Sequence, residues 1–211
     1  MTLKPNDRLF DNADVASIPD REFRALNALD VSISRCLQKY EVIFQIVAQD
    51  KTEMNQSLVL LTWELVDWFE RTRKILGCAA GLKKNESAFA LITRSLKNAE
   101  EFRHVLQHFD GFLTRSQATD FAPLGAVSAI HMLADGSMRS LVYNAGTASS
   151  DTNMGSVKLP DKMNDPVDYV TLQIDGRELN VSEIARNLKT YYSSLRDRVS
   201  EKFPLSEQVD A

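Results

Sequence analysis

The segment FALITRSLKNAEEFRHVLQHFDGFL, residues 89–113, decides the fold. Its apolar residues recur at intervals of three, four and seven, the pattern of one stripe on an amphipathic helix. The stripe consists of Phe89, Ile92, Leu96, Ala99, Leu106 and Leu113. With a cap at Asn85 or Ser87, the pattern predicts a helix to about Arg115, roughly 28 residues and about 42 Å long.

Two similar stripes precede this segment. The first begins near Arg21 and comprises Phe23, Leu26, Ile33, Leu37, Tyr40, Phe44 and Val47. The second comprises Met54, Leu58, Leu61, Leu65, Trp68 and Ile75. Gly77 and Gly81 close the second stripe, as glycine often follows the last turn of a helix. Three long helices joined by short connections predict an antiparallel bundle.

The pattern changes from helix to strand after Pro123. Residues 126–133 and 138–144 are β-prone and flank Asp135-Gly136, a dipeptide typical of hairpins. Residues 170–174 alternate apolar and polar side chains before a second Asp-Gly turn, and predict a third strand that leads into a fourth element.

The last apolar stripe predicts a fourth helix. Asn180 stands three residues before Glu183 and offers its N-terminal cap, and Pro204 ends it. The predicted fold is therefore mainly α: a four-helix up-and-down bundle with a small antiparallel β insertion between helices 3 and 4. We expect a loose lead-in over residues 1–20, one domain over 21–204 with the insertion at about 125–178, and a flexible tail over 205–211.

Composition limits the classes of function. The formal net charge of -4 and pI of about 5.5 argue against a broad, non-specific grip on nucleic acid, which needs a surplus of cations. No glycine-rich phosphate loop or Gly-x-Ser-x-Gly elbow is present, so no cofactor is predicted. The most apolar window, residues 58–69, is too short for a bilayer span, and we expect a cytoplasmic protein without a membrane segment.

The two cysteines fit no metal-binding or redox spacing. Cys36 and Cys78 are far apart in the sequence. We predict that both are buried free thiols in a reducing cytosol.

Candidate chemistry is concentrated near the end of the third helix. Glu100, His104 and His108 lie four residues apart and share one helix face, with Arg103 beside it. On this spacing Glu100 can reach Arg103 or His104. The cationic and acidic run at Glu70, Arg71, Arg73 and Lys74, one helix earlier, is predicted to be a solvated face.

Three interpretations of this cluster are open. It could cleave RNA without a metal, with the imidazoles as base and acid and the arginine stabilising the phosphorane charge. His104 and His108 could instead bind a metal with Glu100 or Asp110, although no third strong ligand is apparent. The cluster could also be solvated helix surface, or a polar contact that ties helices together.

The segment Arg103-His104-Val105-Leu106-Gln107-His108 resembles the Arg-x(4–6)-His motif of the HEPN superfamily, in which the residue after arginine is polar. An upstream acid accompanies the motif, and Glu100 or Glu101 fits that place. The resemblance covers about residues 21–115. It implies a helical homodimer whose two motifs meet at the interface, with metal-independent endoribonuclease activity in toxin, defence or RNA-processing settings.

The resemblance also implies roles for the residues. Arg103 would hold the scissile phosphate, His108 would act as general base or acid, and His104 would fill the polar position. Asp110 stands where toxins paired with a nucleotidyltransferase carry a tyrosine, so control by modification of that tyrosine is not expected. The implied partners are a second copy, an RNA substrate and a protein partner or antitoxin. The alternative is a non-catalytic helical interaction and dimerisation module that binds a protein partner.

Overall fold

A computed structural model describes residues 8–49, 55–78, 87–108, 124–132, 135, 137–144, 169–174 and 176–205. These ranges contain four α-helices: α1 (Asp20–Ala48), α2 (Asn55–Cys78), α3 (Ser87–Gln107) and α4 (Val181–Lys202). Four strands, β1 (Ala126–Met132), β2 (Met138–Asn144), β3 (Tyr169–Ile174) and β4 (Arg177–Asn180), form one sheet. The prediction of a mainly helical chain with a small antiparallel sheet is confirmed.

The helices pack in a closed series around one core. α1 contacts α2, α2 contacts α3, α3 contacts α4, and α4 contacts α1. Side-chain hydrogen bonds also join α4 to its two neighbours. The hydroxyl of Tyr192 on α4 donates to Asp30 on α1, and Asn187 on α4 donates to Ser95 on α3 (2.7 Å). The helices therefore bury their apolar stripes against one another.

The buried stripe of α1 is rotated from the predicted one. Its buried apolar residues are Leu26, Leu29, Ile33, Cys36, Ile43, Ile46 and Val47, whereas Phe23, Leu37, Tyr40 and Phe44 are only partly buried. α1 packs against both α2 and α4, so its buried face is wider than a single stripe and its centre cannot be fixed from spacing alone.

The sheet has the order β2-β1-β3-β4, with every neighbouring pair antiparallel. Trp63 on α2 donates its indole N–H to the carbonyl oxygen of Leu124, just before β1 (2.8 Å). Tyr40 on α1 donates to Ser182 on α4, and the Ser182 hydroxyl oxygen accepts from the backbone N–H of Val170 on β3 (2.8 Å each). These contacts fix the sheet to α1, α2 and α4.

The residues before α1 are part of the core. Leu9 is fully buried, and Ala13 and Ile18 are 5% exposed. The backbone N–H of Asp14 donates to the carbonyl of Phe203 beyond α4 (2.9 Å). This segment therefore covers the end of the α1–α4 pair.

Cys36 is buried as predicted, whereas the prediction for Cys78 is wrong because that thiol is exposed at the end of α2. The Cys36 sulfur lies 3.4 Å from the Thr72 hydroxyl, which is 2.5 Å from that of Ser32. Burial raises the pKa of the Cys36 thiol to about 12, so the thiol stays protonated near neutral pH. No helix in the described ranges is both long and apolar enough to cross a membrane.

α4 begins with the predicted side-chain cap. The Asn180 side-chain oxygen accepts from the backbone N–H of Glu183 (2.9 Å). We expect Asn180→Ala to lower the free energy of unfolding by about 1 kcal/mol, the usual cost of losing such a cap. Urea unfolding measures this difference, and Asn180→Asp, which keeps the acceptor, should remain within about 0.5 kcal/mol of the wild type. Equal losses for both variants would show that the cap is not responsible.

Candidate functional site

The Arg-His segment lies at the end of α3. Arg103 is partly buried, with 24% of its side chain exposed, and its Nε donates to Asp67 Oδ1 on α2 (2.9 Å). His104 and His108 are both exposed. Their rings stack at 12°, with centroids 5.8 Å apart. The structure thus brings both imidazoles together on the surface and directs the arginine toward α2.

The orientation of this segment is set by the residue before the arginine. Phe102 is buried and its ring lies 6.3 Å from that of Trp63 on α2. With Phe102 fixed in the α2–α3 contact, residues one and two places later turn progressively away from the core, because each residue advances 100° around a helix. Arg103 is consequently at the margin of the contact and His104 is in solvent.

Glu100 forms no hydrogen bond or ion pair with Arg103 or His104 in the part of the chain that the structure describes. Its carboxylate accepts from Arg73 Nη2 on α2 (2.8 Å), and 36% of the side chain is exposed. The acid upstream of the motif is therefore bound to the neighbouring helix. Glu100 therefore does not act as a carboxylate partner for either imidazole.

A line of charged residues continues along α2. Arg73 also donates two hydrogen bonds to Glu70 (2.6 and 3.0 Å), whose side chain is only 4% exposed. Lys74 lies 3.6 Å from the same carboxylate, and Arg71 donates to Asp67 (2.8 Å). The α2–α3 charge network comprises Asp67, Glu70, Arg71, Arg73, Lys74, Glu100 and Arg103.

The prediction of a solvated face at Glu70 to Lys74 is wrong in part. Arg71 and Lys74 are exposed, at 56% and 60%, but Glu70 is buried and Arg73 is 28% exposed. Arg73 on α2 also pairs with Glu100 on α3. The sequence of α2 alone does not indicate this partner. Asp67, the residue that holds Arg103, was missed for the same reason, although its spacing of four from Arg71 is visible in the sequence.

The hydrogen bonds from Arg73, followed by the positive charges of Arg73 and Lys74, hold the pKa of the Glu70 carboxyl below its ordinary value despite its burial. A lowered folded-state pKa means that the charged carboxylate stabilises the fold at pH values above the unfolded pKa. This stabilisation is lost as the pH falls through the folded pKa.

Glu70→Gln is expected to lower the free energy of unfolding by about 2 kcal/mol at pH 7, since it leaves Arg73 with one carboxylate in place of two. As the pH falls through the folded-state pKa, the wild-type carboxyl becomes neutral and the difference should shrink. Urea unfolding at a series of pH values from 7 downward tests this. Glu64→Gln, at an exposed position on α2, is the matched control and should change stability by less than about 1 kcal/mol. A loss independent of pH would contradict the electrostatic explanation.

The arrangement has the groups needed for phosphodiester chemistry. Nη1 and Nη2 of Arg103 form no hydrogen bond with any described residue, so they can take an anion. The described ranges contain no group of three His, Cys, Asp or Glu side chains placed to hold a metal. His131, the third histidine, belongs to β1.

Comparisons with known proteins give no relative for this chain: no protein-family model, no curated protein and no solved structure matches it.

Proposed function

We propose that the chain is a HEPN-like dimeric RNA endonuclease that needs no metal, with its site at the end of α3. The observation that carries the proposal is the pair of exposed, stacked imidazoles of His104 and His108 beside Arg103, whose terminal nitrogens form no hydrogen bond with any residue that the structure describes. Solvent exposure makes both imidazoles accessible to a polynucleotide, and 24% of the Arg103 side chain is exposed beside them. The Asp67 carboxylate holds Arg103 by Nε alone and so orients the guanidinium.

The proposed reaction is transesterification within the RNA. One imidazole, assigned to His108, takes the proton from the 2′-hydroxyl as its oxygen attacks the phosphorus. The bond from phosphorus to the 5′ oxygen then breaks, and a second imidazole gives that oxygen a proton. Arg103 stabilises the charge on the non-bridging phosphate oxygens. The products are a 2′,3′-cyclic phosphate and a 5′-hydroxyl.

The second imidazole comes from His104 or from the other subunit of the dimer. In the proposed dimer the two α3 ends face each other, which would give a shared pocket that stays open to the RNA. The proposal includes an up-and-down arrangement of the four helices, favoured by the closed series of helix contacts. It also includes a cytoplasmic location, favoured by two free cysteines.

The decisive test uses the substrate. The intact chain is incubated with single-stranded RNA in excess EDTA, alongside the same sequence with 2′-deoxy substitutions. We expect cleavage of the RNA to cyclic-phosphate ends and no cleavage of the deoxy substrate, which lacks the attacking hydroxyl. No cleavage of any RNA, or equal cleavage of both substrates, would reject the mechanism.

A non-catalytic interaction module is the second candidate. The observation that favours it is the pairing of Arg103 with Asp67 and of Glu100 with Arg73, which gives both residues a role in joining α2 to α3. In that case the chain dimerises or binds a protein partner without cleaving RNA. A stable dimer that leaves all RNA intact in EDTA would support this alternative.

A further inference from the structure

His104 and His108 have a geometry that suits a shared metal ion. They are one helical turn apart on an exposed face, where the Cβ atoms of such pairs are about 5–6 Å apart. Their ring centroids are 5.8 Å apart, the ring planes meet at 12°, and both side chains are exposed. Two imidazoles one helical turn apart can therefore reach one ion once their rings rotate toward it.

The ligand type points to a borderline divalent cation. Imidazole nitrogen suits Zn²⁺, Cu²⁺ and Ni²⁺, and it binds Zn²⁺ at about 2.0–2.1 Å. Two imidazoles on one tetrahedral Zn²⁺ would place their centroids about 5 Å apart, from this bond length and the tetrahedral angle. The observed separation differs from that value by less than an ångström, so rotation of the two rings is enough.

Two neighbouring carboxylates already have cationic partners. Glu100 is held by Arg73, and Asp67 is held by Arg71 and Arg103. No three potential ligands converge in the described part of the chain. The chelate would therefore have two protein ligands, and water would complete the coordination of the ion.

We propose that His104 and His108 form a two-imidazole site for a divalent cation of the Zn²⁺ type, and that its occupancy inhibits the nuclease. The inhibitory half rests on the proposed function. A metal-bound imidazole nitrogen cannot accept or donate the proton that the reaction requires. In this proposal the nuclease needs no metal for activity, and a bound divalent cation inhibits it.

The binding half is tested by calorimetric titration of the full-length chain with Zn²⁺. The parent for the titration carries Cys78→Ser, because the exposed Cys78 thiol would also bind the ion. We expect one ion per chain. His104→Gln and His108→Gln should each weaken binding at least about tenfold, since even outer-shell partners of a metal ligand change affinity by 10- to 100-fold. Gln107→Ala, on the same exposed turn, should bind as the parent does.

Equal affinity in the parent and both histidine variants would overturn the assignment, as would the absence of saturable binding by the parent below 1 mM, roughly the weak end of specific affinities.

The proposed inhibition is tested by RNA cleavage with and without saturating Zn²⁺, with reversal by EDTA. Binding without inhibition would reject the inhibitory half alone. If EDTA-treated protein cleaves no RNA, the proposed function fails, and the titration still decides the metal site.

Discussion

His108→Ala is expected to lower the rate of RNA cleavage in EDTA by about 10²- to 10⁴-fold, the range that a positioned general acid or base contributes. The side chain of His108 is exposed, and its ring contacts the ring of His104. The substitution therefore removes a proton-transfer group with little loss of packing. Initial rates on one RNA at saturating concentration measure the effect. Circular dichroism and urea unfolding should show a fold as stable as that of the wild type.

Two further variants separate chemistry from charge and structure. Gln107→Ala lies on the same exposed turn and should retain full activity. Arg103→Lys keeps the positive charge but loses the planar guanidinium, and we expect it to remain strongly impaired, because a point charge cannot give the bidentate contact to phosphate. Cleavage by His108→Ala at the wild-type rate would remove the catalytic role of this segment.

Gly125→Ala is expected to destabilise the fold by about 3 kcal/mol or more, the largest stability effect we predict. Gly125 has a φ of 78°, which costs a residue with a Cβ about 1–2 kcal/mol. A Cβ at this position would also lie 2.4 Å from the carbonyl oxygen of Gln173 on β3. That oxygen belongs to the backbone beside β1, so the clash can be relieved only by moving one strand. Urea unfolding of the full chain gives the measurement.

The chain contains a matched control for this substitution. Gly176 has a similar φ of 70°, but a Cβ there would meet no atom within 4 Å. Gly176→Ala should therefore cost only the conformational term, about 1 kcal/mol. A loss at position 125 no larger than the loss at position 176 would show that the β1–β3 approach is not as tight as described.

Much of the fold is predictable because helices and strands leave a periodic apolar pattern. The stripes before Val47 and Ile75 predicted α1 and α2, and Asn180 with Glu183 marked the start of α4. Which face of a helix is buried against the core was less predictable. Leu106 belongs to the predicted stripe of α3 but is 37% exposed. The predicted part of this helix beyond residue 108 lies outside the described residues.

The candidate site was predictable as a cluster on one helix, but its contacts were not. The i, i+4 spacing of His104 and His108 indicates adjacent rings, and the rings are stacked. The partners of Arg103 and Glu100 are 36 and 27 residues away in the sequence, on α2. Their identity depends on the register of two packed helices, which no local pattern contains.

The central claim is that two copies share one site at the ends of their α3 helices. The most direct test is the molar mass of the full-length chain by light scattering, followed by cleavage rate per chain over the same dilution series. We predict a mass of about twice the 23.8 kDa chain, and a rate per chain that falls in parallel as the dimer dissociates. A chain that is monomeric at every concentration, or that cleaves RNA at an undiminished rate per chain once monomeric, would contradict the account.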